Sequence, residues 1–302
     1  MIPLKTYGDF PRQELQPYIK RVCELVGPRV LAVVAYGSAL SQVTKSSTSL
    51  PDFFVIVEDY TSFYSLKFHA FLNSFLPPNI YHFTMPNQDE TTKYCVVSLS
   101  RLQREVTLPS DMYLVGRFSK KMAIAWQREE TFVETLSKVQ ERAIVTVARK
   151  TLALMPPTFT LESFILKALS LSYLGDVRVE ASNKIQKLYD ADRGFYQTCF
   201  SQALSTLPCK TEVTETYVRT CSSSANTIYA TWVRFFLFVS RVRARLRWPK
   251  SMFTASDWLE YVIKKIERTQ GITIDLTARE KKLWFIYGWK YFLLLKKKNL
   301  IK

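Results

Sequence analysis

Three features are scarce in this chain of 302 residues, and each scarcity argues against a class of chemistry. Only two histidines occur, His69 and His82, which argues against a histidine-based catalytic triad or a histidine-rich metal site. The five cysteines are widely spaced and form no CxxC pair, which predicts reduced thiols in a reducing compartment and gives no zinc signature. No window reaches the ~18–20 consecutive apolar residues that a membrane-spanning helix needs.

Acidic residues are also few, and the resulting positive charge is unevenly placed. The chain has 42 Lys/Arg against 26 Asp/Glu, a net charge of +16. Residues 234–302 alone carry 17 Lys/Arg and 5 Asp/Glu, so the basic character is concentrated near the C-terminal end. The first ten residues show neither a secretory signal nor an Arg/Ser-rich presequence, which predicts a cytosolic polypeptide. A hydrophobic content of 47% predicts a packed core rather than disorder.

Hydrophobic periodicity predicts alternating helices and strands in the first half and mostly helices after it. The predicted strands are 30–35, 53–57 and 94–98. The predicted helices are 14–26, 62–76 and 131–155, with a further helix capped by Thr158 or Thr160. Residues 84–92 are predicted to be a polar loop, 116–126 a strand or a short helix, and 208–224 a linker.

The most informative stretch is Leu31-Ala-Val-Val-Ala-Tyr-Gly-Ser38, followed by Pro51-Asp-Phe-Phe-Val-Ile-Val57. Two adjacent strands of this kind would place the Gly-Ser turn and Asp52 at the same edge of a sheet. Glycine permits close approach of a phosphate to the backbone, and a carboxylate can hold a divalent metal. Such turns are common, however, so these residues alone favour an ordinary strand–turn–strand unit.

Three further segments follow in a specific order: Lys93-Tyr-Cys-Val-Val-Ser98, Met112-Tyr-Leu-Val-Gly-Arg-Phe-Ser-Lys-Lys121 and Leu169-Ser-Leu-Ser-Tyr-Leu-Gly-Asp-Val-Arg178. With the Gly-Ser turn and the Asp strand, they resemble five motifs of the mitochondrial-type CDP-diacylglycerol synthases, the translocator assembly and maintenance family. The resemblance extends over residues 36–188, about half of the chain.

The resemblance implies an α/β fold in three parts. Residues 1–127 would form a polymerase-β-like nucleotidyltransferase head, and residues 128–207 a helical, winged-helix-like domain that closes the active site. Residues 208–302 would form a linker and a basic, aromatic region that associates with membranes.

The resemblance also implies an activity: transfer of a cytidylyl group from CTP to phosphatidic acid, with Mg²⁺ and release of pyrophosphate. Asp52 and Asp176 would be the catalytic, metal-holding carboxylates. The nucleotide would be bound by Gly37, Ser38, Lys93, Arg117, Lys120 and Arg178, with Lys121 as a further cation beside the triphosphate. The alternative for Asp176 is a helix C-cap paired locally with Arg178.

Several positions depart from the family pattern. Leu50 stands where many nucleotidyltransferases carry a second acidic residue, and Glu58 and Asp59 are reserve carboxylates. Ala39 replaces a glycine, Phe63-Tyr64 replaces a Trp-His pair, and Cys95 replaces another glycine. These changes indicate a divergent member of the family.

The C-terminal region has two stretches, 232–247 and 283–298, that run from aromatic to cationic. An element lying in a membrane interface has this composition. Nucleic acid is the rival and less favoured partner, and a pair of core helices with solvated ends is equally compatible. The functional alternatives are a nucleotidyltransferase with another acceptor (RNA, protein or a different phospholipid) and a non-catalytic nucleic-acid-binding protein. The expected location is the cytoplasmic face of a bacterial membrane or the matrix side of the mitochondrial inner membrane.

Overall fold

The computed structural model describes most of the chain up to Thr254 and a few positions after it. The described residues are 5–6, 16–37, 40, 52–85, 91–175, 182–211, 216–219, 223–254, 263, 267, 277, 279–280, 283 and 287. Ser38, Ala39, Asp176, Arg178 and nearly all of 283–298 therefore lie outside the described residues.

A mixed six-stranded sheet forms the centre of the head. Its strands are β1 (Lys5–Thr6), β2 (Val30–Tyr36), β3 (Asp52–Val57), β4 (Asn79–Thr84), β5 (Thr91–Ser98) and β6 (Met122–Gln127). Their order is β1-β6-β2-β3-β5-β4. Strand β2 is antiparallel to β3 and to β6, whereas β5 is parallel to β3. The α/β class and the three predicted strands are confirmed.

Helices cover both faces of this sheet. One face packs against α1 (Gln16–Val26), α2 (Tyr60–Phe63) and α3 (Lys67–Phe75). The other face shares one core with a larger set of helices, namely α4 (Leu99–Thr107), α5 (Met112–Phe118), α6 (Phe132–Leu152), α7 (Leu161–Ser172), α8 (Ser182–Ala191), α9 (Arg193–Ser205) and α10 (Ser223–Thr254). Of these, α7 and α9 pack on α6. Because side chains alternate along a strand, Phe54 and Ile56 face the larger set while Phe53 and Val55 face the smaller one.

The structure corrects several predicted boundaries. The single helix expected over 62–76 is two helices, since Tyr64 between them has extended backbone (φ −89°, ψ 130°) and its ring is buried. Strand β4 was not predicted, and β5 begins inside the expected polar loop. The segment 116–126 contains both the end of a helix, α5, and a strand, β6.

The predicted linker 208–224 is wrong over its described residues. Strands β8 (Cys209–Thr211) and β9 (Thr216–Arg219) join β7 (Thr158–Thr160) in a three-stranded antiparallel sheet. Its attachment is aromatic, because Tyr217 stacks on Phe159, whose ring also stacks on Phe164 of α7. Thr160 caps α7 in a reciprocal capping box with Ser163. Of the two predicted caps, Thr158 and Thr160, the structure has Thr160.

Helix α10 presents two different faces. Val233, Phe236, Ser240, Ala244 and Arg247 are buried against the protein. The opposite side carries exposed apolar residues at three- and four-residue steps: Ile228, Trp232, Phe235, Phe238, Val242 and Leu246. Within the described residues, no helix has both the length and the apolarity to cross a membrane.

Candidate active site

The candidate site lies where β2 ends and β3 begins. Tyr36 pairs with Asp52 across the antiparallel ladder, and Gly37 follows with φ +98°, a left-handed conformation that favours glycine. A Cβ atom on Gly37 would be 3.7 Å from Oδ2 of Asp52. The structure therefore confirms that Gly37 lies close to the Asp52 carboxylate, as predicted.

Strand β5 adds a cation to this carboxylate. Its parallel register with β3 brings the Nζ of Lys93 to 3.0 Å from Oδ2 of Asp52. The two side chains are 26% and 30% exposed, so the pair remains accessible from solvent. Burial is the largest single influence on the pKa of Lys93 and lowers it, but the charge of Asp52, the hydrogen bond to Asp52 and the neighbouring Cys95 together outweigh burial, so the net shift of the pKa is upward. Lys93 is therefore a cation at neutral pH.

Helix α5 contributes a second cation, Arg117. Its guanidinium carbon is 3.9 Å from the ring centre of Tyr113 and 5.8 Å from that of Tyr36, the residue that precedes Gly37. The charge of Arg117 also acts on Lys93, whose pKa is set by burial, then by Asp52, and then by this guanidinium. Asp52, Lys93 and Arg117 therefore form one charge cluster beside the turn.

Cys95 lies beneath this cluster, at a position where sequence reasoning noted only a departure. The thiol is buried, and its Sγ is 3.6 Å from the Tyr36 hydroxyl and 3.7 Å from the Tyr113 hydroxyl. Burial raises the pKa of Cys95, although the charges of Lys93 and Arg117 oppose this. The neutral side chain fills space between two tyrosines. Tyr113 is thus a residue of the site that the sequence motif contained but did not distinguish.

Two glycines bring α5 against the end of α7. A Cβ atom on Gly116 would lie 2.5 Å from the Ser172 carbonyl oxygen, and one on Gly175 would lie 2.5 Å from the Met112 carbonyl carbon. The two family-like segments therefore pack backbone against backbone. Asp176 and Arg178 follow directly in sequence and lie outside the described residues, so their roles stay predictions.

Lys120 and Lys121 have different surroundings. The Nζ of Lys120 is 3.4 Å from the ring centre of Tyr173, and its carbonyl oxygen accepts a hydrogen bond from Gln140. The Nζ of Lys121 donates to Oδ1 of Asp192 at 2.6 Å, and that carboxylate is buried. The charge of Lys121 is paired with a buried carboxylate, whereas Asp52, the partner of Lys93, is partly exposed. We therefore expect no triphosphate contact from Lys121.

The reserve carboxylates do not lie near Asp52. Glu58 and Asp59 follow the opposite end of β3, six residues away or roughly 20 Å along an extended strand. Asp59 caps α2, and hydrogen bonds from Ser62 and Thr61 lower its pKa to about 2. Both residues are therefore excluded from the site.

Tyr64, which stands at the position of the family's histidine, also belongs elsewhere. Its ring packs with the core on the sheet face opposite to Cys95, and its hydroxyl accepts a hydrogen bond from Asn73. Tyr64 is therefore a core residue that lies away from the charge cluster.

The described residues contain no group of three or more His, Cys, Asp or Glu side chains that could hold a metal ion. Asp52 is a single carboxylate with oxygen donors and partial exposure, which suits one protein ligand of Mg²⁺, an ion that commonly uses one or two carboxylates plus substrate phosphates. Asp176, the second predicted ligand, is among the residues that the structure does not describe.

Comparison with known proteins now gives the family. The family model described as "Phosphatidate cytidylyltransferase, mitochondrial" matches residues 70–233, more than half of the chain. The chain belongs to this family. The matched region contains Lys93, Arg117, Lys120, Asp176 and Arg178, whereas Gly37 and Asp52 precede it.

Two individual proteins are similar to this chain. A zebrafish (Danio rerio) protein named "Phosphatidate cytidylyltransferase, mitochondrial" is 23% identical over 202 residues, which cover 58% of this chain and 58% of the zebrafish protein. This chain therefore matches less than two thirds of that protein. A nucleotidyltransferase-like protein from Exiguobacterium sibiricum covers 97% of the chain and 92% of its own, at 12% identity and a TM-score of 0.26. A score this low supports no conclusion about the fold.

Proposed function

We propose that this protein is a CDP-diacylglycerol synthase, which transfers a cytidylyl group from CTP to phosphatidic acid and releases pyrophosphate. Family membership supports the reaction. The observation that carries the proposal is the cluster of Asp52, Lys93 and Arg117 beside the left-handed Gly37. One carboxylate, two cationic side chains and a glycine whose backbone is not covered by a side chain suit the binding of a nucleoside triphosphate. The cluster contains no histidine and no ionised thiol.

The reaction determines what these residues would do. A phosphate oxygen of the acceptor attacks the α-phosphorus of CTP, a P–O bond forms, and the bond to the β-phosphate oxygen breaks to release pyrophosphate. The reacting groups are all anionic, so catalysis depends mainly on positioning and charge neutralisation. Lys93 and Arg117 would contact oxygens of the triphosphate. Gly37 would let a phosphate group approach the backbone closely. Ser38, Lys120 and Arg178 remain predicted contacts.

Mg²⁺ is the cofactor we propose. Asp52 would hold it from the protein side, with Asp176 as the predicted second ligand. Bound there, the ion would neutralise charge on the phosphates during transfer. Lys93 also contacts this carboxylate, so Mg²⁺ and Lys93 would both be held by Asp52.

Access to a lipid acceptor requires a membrane-facing surface, and we propose that α10 and α3 supply it. The exposed apolar residues of α10 are accompanied by the exposed arginines Arg234, Arg241 and Arg245. Helix α3 exposes Phe68, Phe71 and Phe75 on one side. The helices meet where Arg243 donates a hydrogen bond to the Phe75 carbonyl oxygen at 3.4 Å. Apolar side chains beside arginines fit an anionic lipid surface.

This surface differs in one respect from the sequence expectation. Two arginines of the cationic end of 232–247, Arg243 and Arg247, point into the protein and bind Asp111. The contact we propose is therefore carried by the apolar stripe and its three flanking arginines. Peripheral attachment of this kind fits either a bacterial membrane or the matrix side of the mitochondrial inner membrane.

The test is pyrophosphate release from CTP with and without phosphatidic acid in mixed micelles. We expect release only when CTP, Mg²⁺ and phosphatidic acid are all present, and much less with ATP, GTP or UTP. Release with RNA or a protein acceptor, but not with phosphatidic acid, would assign the other nucleotidyltransferase function. Nucleic-acid binding with no release under any condition would favour a non-catalytic role.

A further inference from the structure

The ring of Tyr113 contacts two arginines that belong to different parts of the protein. Arg117, one turn further along α5, has its guanidinium carbon 3.9 Å from the ring centre. Arg247, from α10, has its guanidinium carbon 4.5 Å from the same centre. Arg117 belongs to the candidate active site, whereas Arg247 belongs to the helix whose opposite side faces solvent. One aromatic ring therefore connects the nucleotide side to α10.

Asp111 fixes this arrangement at the start of α5. Its Oδ1 accepts a hydrogen bond from the backbone N–H of Tyr113 at 2.8 Å and so caps the helix. Its Oδ2 accepts bonds from Nε of Arg243 at 2.7 Å and from Nη2 of Arg247 at 2.6 Å. Burial raises the pKa of Asp111, but the charge of Arg247 and these bonds outweigh it and the net shift is downward. The buried carboxylate stays ionised and ties α5 to α10.

Arg247 is also held from the other side. It is 6% exposed, and its Nε donates to the Pro77 carbonyl oxygen at 2.9 Å. The planar guanidinium of Arg247 bonds Asp111 and Pro77 through nitrogens fixed in one plane, and its face lies against the ring of Tyr113. An ammonium group is a single point charge and does not reproduce this fixed geometry, so the position favours arginine over lysine.

We propose that Arg247 is a positioning residue for the nucleotide site, acting through Asp111 and the ring of Tyr113 to set the place of Arg117. Docking of α10 would then complete the triphosphate contact. The inference rests on the proposed function only in taking Arg117 as a triphosphate ligand. It adds that the helix proposed to touch the membrane also organises the opposite, nucleotide-binding side.

The test uses binding of inorganic tripolyphosphate, and of CTP, by isothermal titration calorimetry, with thermal unfolding measured alongside. Arg247→Lys should weaken tripolyphosphate binding roughly tenfold. Tyr113→Leu should also weaken tripolyphosphate binding roughly tenfold. Tyr113→Phe keeps the aromatic ring and should bind tripolyphosphate as tightly as the unmodified protein does. The matched control is Lys250→Gln, which removes bonds from α10 to the Leu76 and Pro78 carbonyls without touching Tyr113. It should lower the midpoint of unfolding but leave binding unchanged.

A double-variant cycle separates positioning from general loosening of the fold. If Arg247 acts through Arg117, Arg247→Lys should have no further effect on binding in an Arg117→Ala background. Additive losses, equal losses in Arg247→Lys and Lys250→Gln, or no binding by the unmodified protein would each overturn the inference. Expected binding behaviour without any lipid product in the presence of phosphatidic acid would instead overturn the proposed function and leave the inference standing.

Discussion

Lys93 and Arg117 place two positive charges beside Asp52, and each charge has a different support. Lys93 is held by the carboxylate itself, so its position depends on strand register. Arg117 lies over the rings of Tyr113 and Tyr36, so its position depends on aromatic contacts beside the turn. This difference predicts that Arg117 contributes chiefly to substrate binding.

Arg117→Ala should weaken CTP binding by roughly tenfold to a hundredfold, because a charge-assisted hydrogen bond contributes about 1.5–3 kcal/mol. Lys121→Ala is the matched control, four residues further along. It leaves the buried Asp192 unpaired, so it should lower the midpoint of thermal unfolding and leave CTP affinity unchanged. Equal CTP affinities for Arg117→Ala and the unmodified protein would show that Arg117 does not touch the nucleotide.

Lys150 provides a residue-scale prediction about pH. It is 4% exposed, lies 4.0 Å from the ring centre of Phe236 and 4.5 Å from that of Trp232, and its pKa is lowered to about 8 by burial, with Arg149 adding to the effect. In the unfolded chain the amine should titrate near its usual 10.5. Between these two values the unfolded state binds more protons, so this group makes stability rise with pH from about 8 to 10.5.

Lys150→Met should therefore raise the free energy of unfolding at pH 7 by roughly 1–3 kcal/mol, since the cost of the buried charge is removed and only the cation–π contacts are lost. The difference from the unmodified protein should shrink as the pH rises towards 10.5. Urea unfolding at several pH values measures it. A difference that is constant across this range would contradict the lowered pKa.

At the scale of elements, the contact between α5 and the end of α7 depends on Gly116 and Gly175, because a residue with a side chain would keep the two backbones apart. Gly116→Ala would place a Cβ atom 2.5 Å from a backbone oxygen that cannot move independently, and should destabilise the protein by roughly 1–3 kcal/mol. Gly194→Ala in α9 is the matched control, because its Cβ would meet nothing within 4 Å and alanine favours the helix. It should be neutral or stabilising in urea unfolding. The packing account would be contradicted if both substitutions had the same effect.

The membrane surface is also an element-scale prediction. Phe235→Ser with Phe238→Ser, or Arg241→Glu with Arg245→Glu, should reduce sedimentation with anionic vesicles, and the loss from the charge pair should be larger at low salt. Leu108→Ser, at an exposed apolar residue that follows α4, serves as the control and should leave vesicle binding unchanged. Normal vesicle binding by both double variants would exclude α10 as the contact.

Sequence patterns predicted some elements well because their determinants are local. The buried β-branched runs of β2 and β3 and the apolar spacing of α1 needed no tertiary information. Strands β8 and β9 were missed because both are short and depend on pairing. Strand β9 pairs with β7, which lies more than fifty residues earlier in the sequence, and β8 pairs with β9. The ion pairs of Arg243 and Arg247 with Asp111 were equally unpredictable, since only the folded chain brings Asp111 beside them.

The same distinction applies to the site. Gly37, Asp52, Lys93 and Arg117 were found through motifs, and the structure brings them together. Tyr113 and Cys95 were not identified as parts of the site because their contribution is contact with other side chains. A position-by-position motif comparison records residue types but contains no such contact.

At the scale of the whole molecule, the ends of the central strands, helix α5 and helix α10 form a continuous set of contacts. Asp52 and Lys93 lie on the strands, Arg117 on α5, and the Asp111 ion pairs join α5 to α10. Nucleotide binding and contact with the lipid acceptor would therefore depend on the same packed unit rather than on independent modules.

The most direct test of the central claim is transfer of phosphorus label into lipid. With CTP labelled at the α-phosphate and vesicles containing phosphatidic acid, we expect the protein to place label in the organic phase as CDP-diacylglycerol. CTP labelled at the γ-phosphate should leave all label in water as pyrophosphate, and Asp52→Asn should abolish transfer while retaining the unfolding midpoint of the unmodified protein. Absence of organic-phase label from α-labelled CTP, with folded protein, Mg²⁺ and phosphatidic acid all present, would contradict the proposed function.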